Sequence, residues 1–430
     1  MAMETILVIA HAMGRTLVLP PEDRMYLLGQ KLDFHDFFNL DKMSRDHAGI
    51  DIISMEEFLT REKGKLLDAE TNQPISPPDE RVKWDNQKLQ PLWGFLKKVG
   101  EVRYWDPRQC QVGFPRDASP GGLERLNSMT DEIKAMNPKP EPSDYKGKPI
   151  PVDASAMDRL KASLAGDRYE FCHYDEKMQN AKLVHVPFDR KTSRWLVHFY
   201  SFVFFEDWKQ DLFYKRFIRD YVRYSDKLIC AAARVVQAVR DRARSRDPVK
   251  NPNGEFDSFH IRRGDFQYKK TRVDADVIYE ISHRDLTEGA TVYIATDERD
   301  KTFFQPLADH YDVVYLDDYM HLVEGLDKHY FGMIDQLVTF KSRAFVGTWF
   351  SSFSGYINRL RGYYINKYKL PGYEDGTMKS WYFAPAEKRD EMQEFWPSRL
   401  PFYMREFPPA WRDIDRGLYD QDYEPIQAVG

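Results

Sequence analysis

Two hydrophobic periods alternate along this chain, one helical and one extended. Residues 2–13 (AMETILVIAHAM) carry apolar positions on helical spacing and stop at Gly14, which predicts a helix closed by a glycine cap. TLVLPP at 16–21 is a short apolar run ended by two prolines, which predicts a buried strand. From 60 to 150 the pattern loosens, with charged stretches around Trp84, Trp93 and Trp105. The segment 138–151 (PKPEPSDYKGKPIP) has five prolines and almost no apolar residue. It reads as a surface loop or linker, with an acceptor-binding insert as the functional alternative. Residues 206–243 place Phe213, Phe217, Tyr221, Tyr224, Leu228, Ala232, Val235 and Val239 at steps of three and four. That spacing predicts one long helix with a single core-facing stripe. It fades in the charged run RDRARSRD (240–247) and the turn NPNGE (251–255).

Beyond the turn the rhythm becomes regular. DSFHI (257–261), TVYIAT (291–296), DVVYL (312–316) and AFVGT (344–348) read as strands. DADVIYEISH (274–283), KTFFQPLADH (301–310), MIDQLVTF (333–340) and SSFSGYINRLRG (351–362) read as helices between and after them. Strict strand–helix alternation with β-rich apolar strands predicts an α/β fold with a parallel, doubly wound sheet. Ligands of such sheets lie beyond the carboxyl ends of the strands. Three segments qualify: 260–265, 297–298 and 347–352.

Composition narrows the function. The chain has 430 residues, enough for two domains, with 42% hydrophobic and 30% charged residues. Its formal charge of −5 argues against a general affinity for nucleic acid or anionic membrane. Any anion must then be met by a local basic site. Cys110, Cys172 and Cys230 form neither a zinc pattern nor a disulfide framework, although one disulfide is compatible with them. No apolar run reaches 18 residues, so no membrane segment is expected, and no signal peptide is legible after Met1.

The three strand ends carry the chemistry. HIRRGDF (260–266) sets two arginines and a histidine where an anion would make sense of them. A guanidinium pairs bidentately with phosphate oxygens in a way lysine does not. Strand alternation sends His260 and Arg262 to one face and Arg263 to the other. Arg262 is therefore the phosphate ligand, and Arg263 a supporting ion pair with Asp265 as its candidate partner. In GTWFSSFSG (347–355), Gly347 and Thr348 allow a tight turn, and Ser351 and Ser352 fall at a helix start. Free amides and the helix dipole favour phosphate there; plain N-capping is the structural alternative. Phe353 either stacks on a base or fills core. Asp297 and Asp335 could accept from guanine N–H groups or ribose hydroxyls, or serve as caps or ion-pair partners. RGD (263–265) is not read as an adhesion motif. DAD (274–276) and DID (413–415) follow no apolar strand and are not read as metal sites.

Taken together, HIRRGDF, YIATDE (293–298) and FVGTWFSSFSG (345–355) resemble the GDP-fucose O-fucosyltransferase superfamily, in that order. AMGRTLVLPP (12–21) and ISMEEFL (53–59) look like it too. The resemblance implies a GT-B-like α/β fold: two Rossmann-like domains with a nucleotide-sugar cleft between them. The expected division is 1–200 on the acceptor side, 201–370 binding GDP-fucose, and a tail 371–430 packing back on the body. It implies an inverting, metal-independent transfer of fucose to a hydroxyl of a protein or glycan, with no cofactor. Arg262 would be catalytic on the β-phosphate, with His260 beside it. Thr348, Ser351, Ser352 and Phe353 would line the phosphate and nucleoside site, and Asp297 and Asp335 would lie on the nucleotide side. The alternatives are a catalytically degenerate GDP-sugar-binding protein and a transferase using another nucleotide sugar. The family normally opens with a glycine- and asparagine-rich loop before the first helix. Met1 stands where that helix should already run, so the chain reads as N-terminally truncated, and no general base can be named. Relatives commonly work in the ER or Golgi lumen.

Overall fold

The structure, a computed structural model, describes residues 2–24, 31–46, 49–78, 89–100, 102–103, 110–136, 154–163, 170–186, 203–264, 272–349, 351–368, 370, 379–383 and 392–394. Trp84, Trp105, Asp265, the proline-rich 138–151 segment and the 413–415 triplet lie outside them. The chain divides into two compact units, one drawn from Met1–Asp144 and Ile150–Arg223, the other from Tyr224–Gly417. The boundary expected from sequence is 200/201.

In the first unit, helix α1 (Ala2–Ala12) ends as its glycine requires. Gly14 has φ +62°, and Arg15 N reaches back to Ala10 O at 2.9 Å, closing carbonyls that the helix end would leave open. Strand β1 (Leu17–Val18) pairs in parallel with β2 (Ile52–Ile53), which leads into helix α2 (Met55–Arg61), capped by Ser54. Strand β3 (Cys110–Phe114) is the centre of a parallel three-stranded sheet, flanked by β4 (Glu170–His173) and β5 (Val203–Phe205). Cys110 and Cys172, on the neighbouring strands β3 and β4, form a disulfide with Cα atoms 5.7 Å apart. Leu7, Val8, Val112, Phe205, Phe217 and Ile218 are among the core residues. Glu4 and Arg219, both buried, make an ion pair between α1 and α3 (Trp208–Tyr221).

The single helix expected over 206–243 is two. Helix α3 stops at Tyr221, and α4 (Asp226–Arg246) starts afresh. Val222 leaves helical geometry (φ −82°, ψ 91°), and Ser225 takes the cap position. The break falls at the division between the units. Leu228, Ala232, Val235 and Val239 of α4 are buried, as their spacing predicts.

The second unit is built on a six-stranded sheet. Its strands are β6 (Asp257–Ile261), β7 (Thr291–Thr296), β8 (Asp312–Val314), β9 (Phe345–Thr348), β10 (Ser380–Phe383) and β11 (Met392–Glu394). The order is β8-β7-β6-β9-β10-β11, with β6 to β10 parallel and β11 antiparallel. The tail thus contributes a strand pair to this sheet. Phe259, Ile261, Val292, Ile294 and Val346 share a cluster with Ile278 of α5 (Ala275–Ser282), Phe304 and Leu307. Alternate residues face the other way: Tyr293 bonds Asp335 of α6 (Phe331–Thr339), and His260 bonds Ser354 of α7 (Ser352–Lys367). Helices therefore cover both faces, and the sheet is doubly wound as the strand–helix rhythm predicts. The 301–310 segment is shorter than expected, a 3-10 turn (Lys301–Phe304) followed by Gln305–Ala308, because Pro306 enters at the helix start.

Candidate functional site

The chain leaves β6 for β7 and β8 on one side of the sheet, then crosses to β9 and β10 on the other. The crevice between the carboxyl ends of β6 and β9 is thus the topological switch point, where doubly wound sheets bind ligands. Arg262 follows β6, and Ser351 and Ser352 follow β9.

Thr348 ties the two strand ends together. Its hydroxyl donates to His260 O at 2.8 Å and accepts from Arg262 N at 2.9 Å. Asp297, beyond the end of β7, holds the next three residues. It accepts from Arg263 N at 2.7 Å and from Gly264 N at 3.0 Å, and it pairs with Arg262 Nε at 3.1 Å. Position 264 must be glycine for this approach, since a Cβ there would lie 2.4 Å from Asp297 Oδ2. Arg263 is directed elsewhere: Nε bonds Glu298 Oε2 at 3.1 Å, and the guanidinium lies 3.6 Å over the Phe303 ring. Among the described residues its carboxylate partner is Glu298; Asp265, the candidate named from sequence, lies outside them. The parallel register sets Ile261 opposite Thr296, so residues just past these two strands meet.

His260 is 4% exposed, with Nδ1 2.7 Å from Ser354 Oγ and its ring stacked on Phe353 at 4.4 Å. Burial depresses its pKa to about 3, so the imidazole is neutral at physiological pH. It can position neighbours but does not carry an imidazolium proton. Ser354 is not among the site residues expected from sequence, which end at Phe353. Gly347 gives it room, because a Cβ there would sit 2.7 Å from Ser354 Oγ.

Ser351 is buried at the start of α7, and Ser352, its first residue, is exposed. The helix is pinned from its far side by Arg361. That buried guanidinium donates to Ser380 Oγ at 2.7 Å, Ser342 O at 2.6 Å and Lys379 O at 3.1 Å. Burial lowers its pKa to about 9, which still leaves it cationic at neutral pH. The start of α7 is therefore fixed against β9, with its dipole and first amides at the crevice. Asp335 stands apart from this cluster. Its carboxylate accepts from Tyr293 OH at 2.6 Å, mid-strand on β7, and burial raises its pKa to about 7. Among the described residues, no group of three or more His, Cys, Asp or Glu side chains could hold a metal ion.

A switch-point crevice with an oriented arginine and a helix start is the arrangement of a nucleotide-binding α/β domain. The chain belongs to the GDP-fucose protein O-fucosyltransferase family, whose model matches residues 1–364. Among solved structures it is similar to POFUT1 in complex with GDP, at 14% identity, covering 84% of this chain and 90% of that one, with a TM-score of 0.36. POFUT1 in complex with GDP-fucose gives 13% identity, 84% and 89% coverage, and a TM-score of 0.34. The α-1,6-fucosyltransferase NodZ, co-crystallised with GDP, gives 12% identity, 84% and 88% coverage, and a TM-score of 0.31. No match was found among curated proteins.

Proposed function

We propose that this protein transfers fucose from GDP-fucose to a hydroxyl of a protein or glycan acceptor, with inversion and without a metal ion. The observation that carries the proposal is the geometry of Arg262, whose backbone is bonded by Thr348 and whose guanidinium is paired with Asp297 beside the start of α7. Breaking the anomeric C–O bond leaves an oxocarbenium-like sugar and puts negative charge on the departing diphosphate. Arg262 and the N-terminal amides of α7, which begins at Ser352, are in place before that charge forms, which costs no reorganisation during the reaction; the Ser351 amide is itself bonded to Thr348 O at 3.3 Å and shapes the turn. Phe353, backed by neutral His260, supplies a wall for the nucleoside. Asp297 acts as a positioning residue for Arg262, and Asp335, bonded by Tyr293, belongs to the framework. The first unit serves the acceptor, and the second holds the donor.

The Cys110–Cys172 disulfide supports work in an oxidising compartment such as the ER or Golgi lumen. The test is a turnover assay with GDP-fucose and an acceptor array in EDTA, reading GDP release and the anomeric configuration of the product by NMR. Inverted product without divalent ion supports the reading. Binding without turnover on any acceptor supports a degenerate protein, and retention of configuration overturns the mechanism.

A further inference from the structure

We propose that the aromatic cavity at the carboxyl ends of β3, β4 and β5 is a carbohydrate site that takes a pyranose ring of the acceptor; the assignment to an acceptor rests on the glycosyltransferase reading above. The cavity lies wholly within the first unit and is an open cleft of about 630 Å³, the size of a small-ligand pocket. It opens where Phe114, Tyr174 and Phe205 end or follow their strands, the position the sheet rule selects for a ligand.

Its lining matches the two faces of a sugar. Phe205 stacks on both Phe114 and Tyr214, with centroids 4.8 and 4.5 Å away and planes within 8° and 14° of parallel, and with buried Phe114 it forms the packed floor of the cavity. Tyr174, Phe213 and Tyr214, all half-buried, present the accessible aromatic surface above that floor. Such a surface buries the apolar C–H face of a pyranose. Arg116, Asp207, Lys209 and Gln210 also line the cavity and supply donors and acceptors for the hydroxyls. Arg116 and Gln210 are exposed, so the polar groups stand at the solvent side of the rings.

The same rim argues against a phosphate. Lys209 N is already bonded by Asp207 Oδ1 at 2.8 Å, and Arg116 N by Glu206 Oε2 at 2.8 Å. Two backbone donors that could cradle an anion are thus filled by carboxylates; Glu206 is also held by Arg125, which leaves Asp207 as the carboxylate of the lining for a hydroxyl-rich ligand. Helix α3 capped in this way keeps the rim ordered without a ligand.

The test uses the whole chain on a printed array of neutral oligosaccharides, beside an Arg116→Ala/Gln210→Ala double variant. Both residues are exposed and lie off the ring stack, so the variant should fold. Wild type should retain at least one neutral pyranoside, and the double variant should bind it roughly tenfold more weakly or worse. Saturation-transfer NMR on the retained sugar should show transfer to its C–H face from aromatic protons, lost in Tyr214→Ala. Failure of wild type to retain any neutral sugar, or equal binding by the double variant, overturns the proposal. GDP titration of the same samples separates the two readings. Sugar binding without GDP binding would overturn the donor site and leave this one standing, whereas GDP binding without sugar binding does the reverse.

Discussion

Asp297→Asn tests how the arginine of the switch point is held. The carboxylate accepts two backbone bonds, at 2.7 and 3.0 Å, and pairs with Arg262 Nε at 3.1 Å. An asparagine keeps one acceptor oxygen and turns an NH2 group toward the second backbone N–H. One donor is then left unsatisfied, worth about 1–3 kcal/mol. The ion pair adds less, about 0.2–1 kcal/mol, because the Asp297 side chain is 29% exposed and water screens it. Together these amount to about 1–4 kcal/mol, shared between the fold of the 262–264 loop and the aim of Arg262. Calorimetry should show GDP affinity falling about tenfold, which is about 1.4 kcal/mol. Melting should drop by several degrees, at roughly 2–4 °C per kcal/mol for a unit of this size. Gly264→Ala should reproduce the effect, since its Cβ would sit 2.4 Å from the same oxygen. An asparagine variant with wild-type GDP affinity and wild-type melting would refute the reasoning.

Arg263→Lys should lower the melting temperature through loss of the Phe303 stack and the Glu298 bond, yet leave GDP affinity within about threefold of wild type; equal loss in Arg262→Lys and Arg263→Lys would show that both arginines face the ligand. Asp335, with its folded pKa raised to about 7, keeps a proton between about pH 4 and 7 that the unfolded chain has released. Stability should therefore fall as pH rises through that window, by on the order of 4 kcal/mol for a shift of about three pH units, and flatten above it. Denaturant titrations of Asp335→Asn should lack that slope; an unchanged slope would assign the dependence to another group. Cys172→Ser should cost about 2–4 kcal/mol, because the bond closes a separation of 62 residues, and in the native protein the exposed Cys230 should be the one cysteine that reacts with maleimide.

Strands β6 to β9 of the second unit were legible because each is a short apolar run whose residues are largely buried, as in DSFHI and TVYIAT, whereas β10 and β11 lie in the segment read only as a tail. The break between α3 and α4 was not. Phe217, Tyr221, Tyr224 and Leu228 keep steps of three and four straight through it, so periodicity carries no trace of the interruption. Ser225 before Asp226 was the available signal, and it forms no side-chain cap bond. The disulfide needed the pairing of β3 with β4, which spacing alone does not reveal. At the site, residue types at strand ends pointed to Arg262, Thr348 and Ser351. Their partners were hidden because they join distant segments: Thr348 to His260 across 88 residues, and Ser354 to His260 across 94. Asp297 could be found as a strand-end carboxylate, but not its grip on the Arg263 and Gly264 amides.

The most direct measurement is calorimetric titration of the whole chain with GDP and with UDP in EDTA, repeated on Arg262→Lys. A switch-point site built on Arg262 and the start of α7 should bind GDP without divalent ion and UDP at least tenfold more weakly. Arg262→Lys keeps the charge but loses the fork, and a charge-assisted bond of roughly 1.5–3 kcal/mol makes the expected loss in GDP affinity tenfold or more. GDP and UDP binding alike, binding that appears only with a divalent ion, or a lysine variant indistinguishable from wild type would contradict the account.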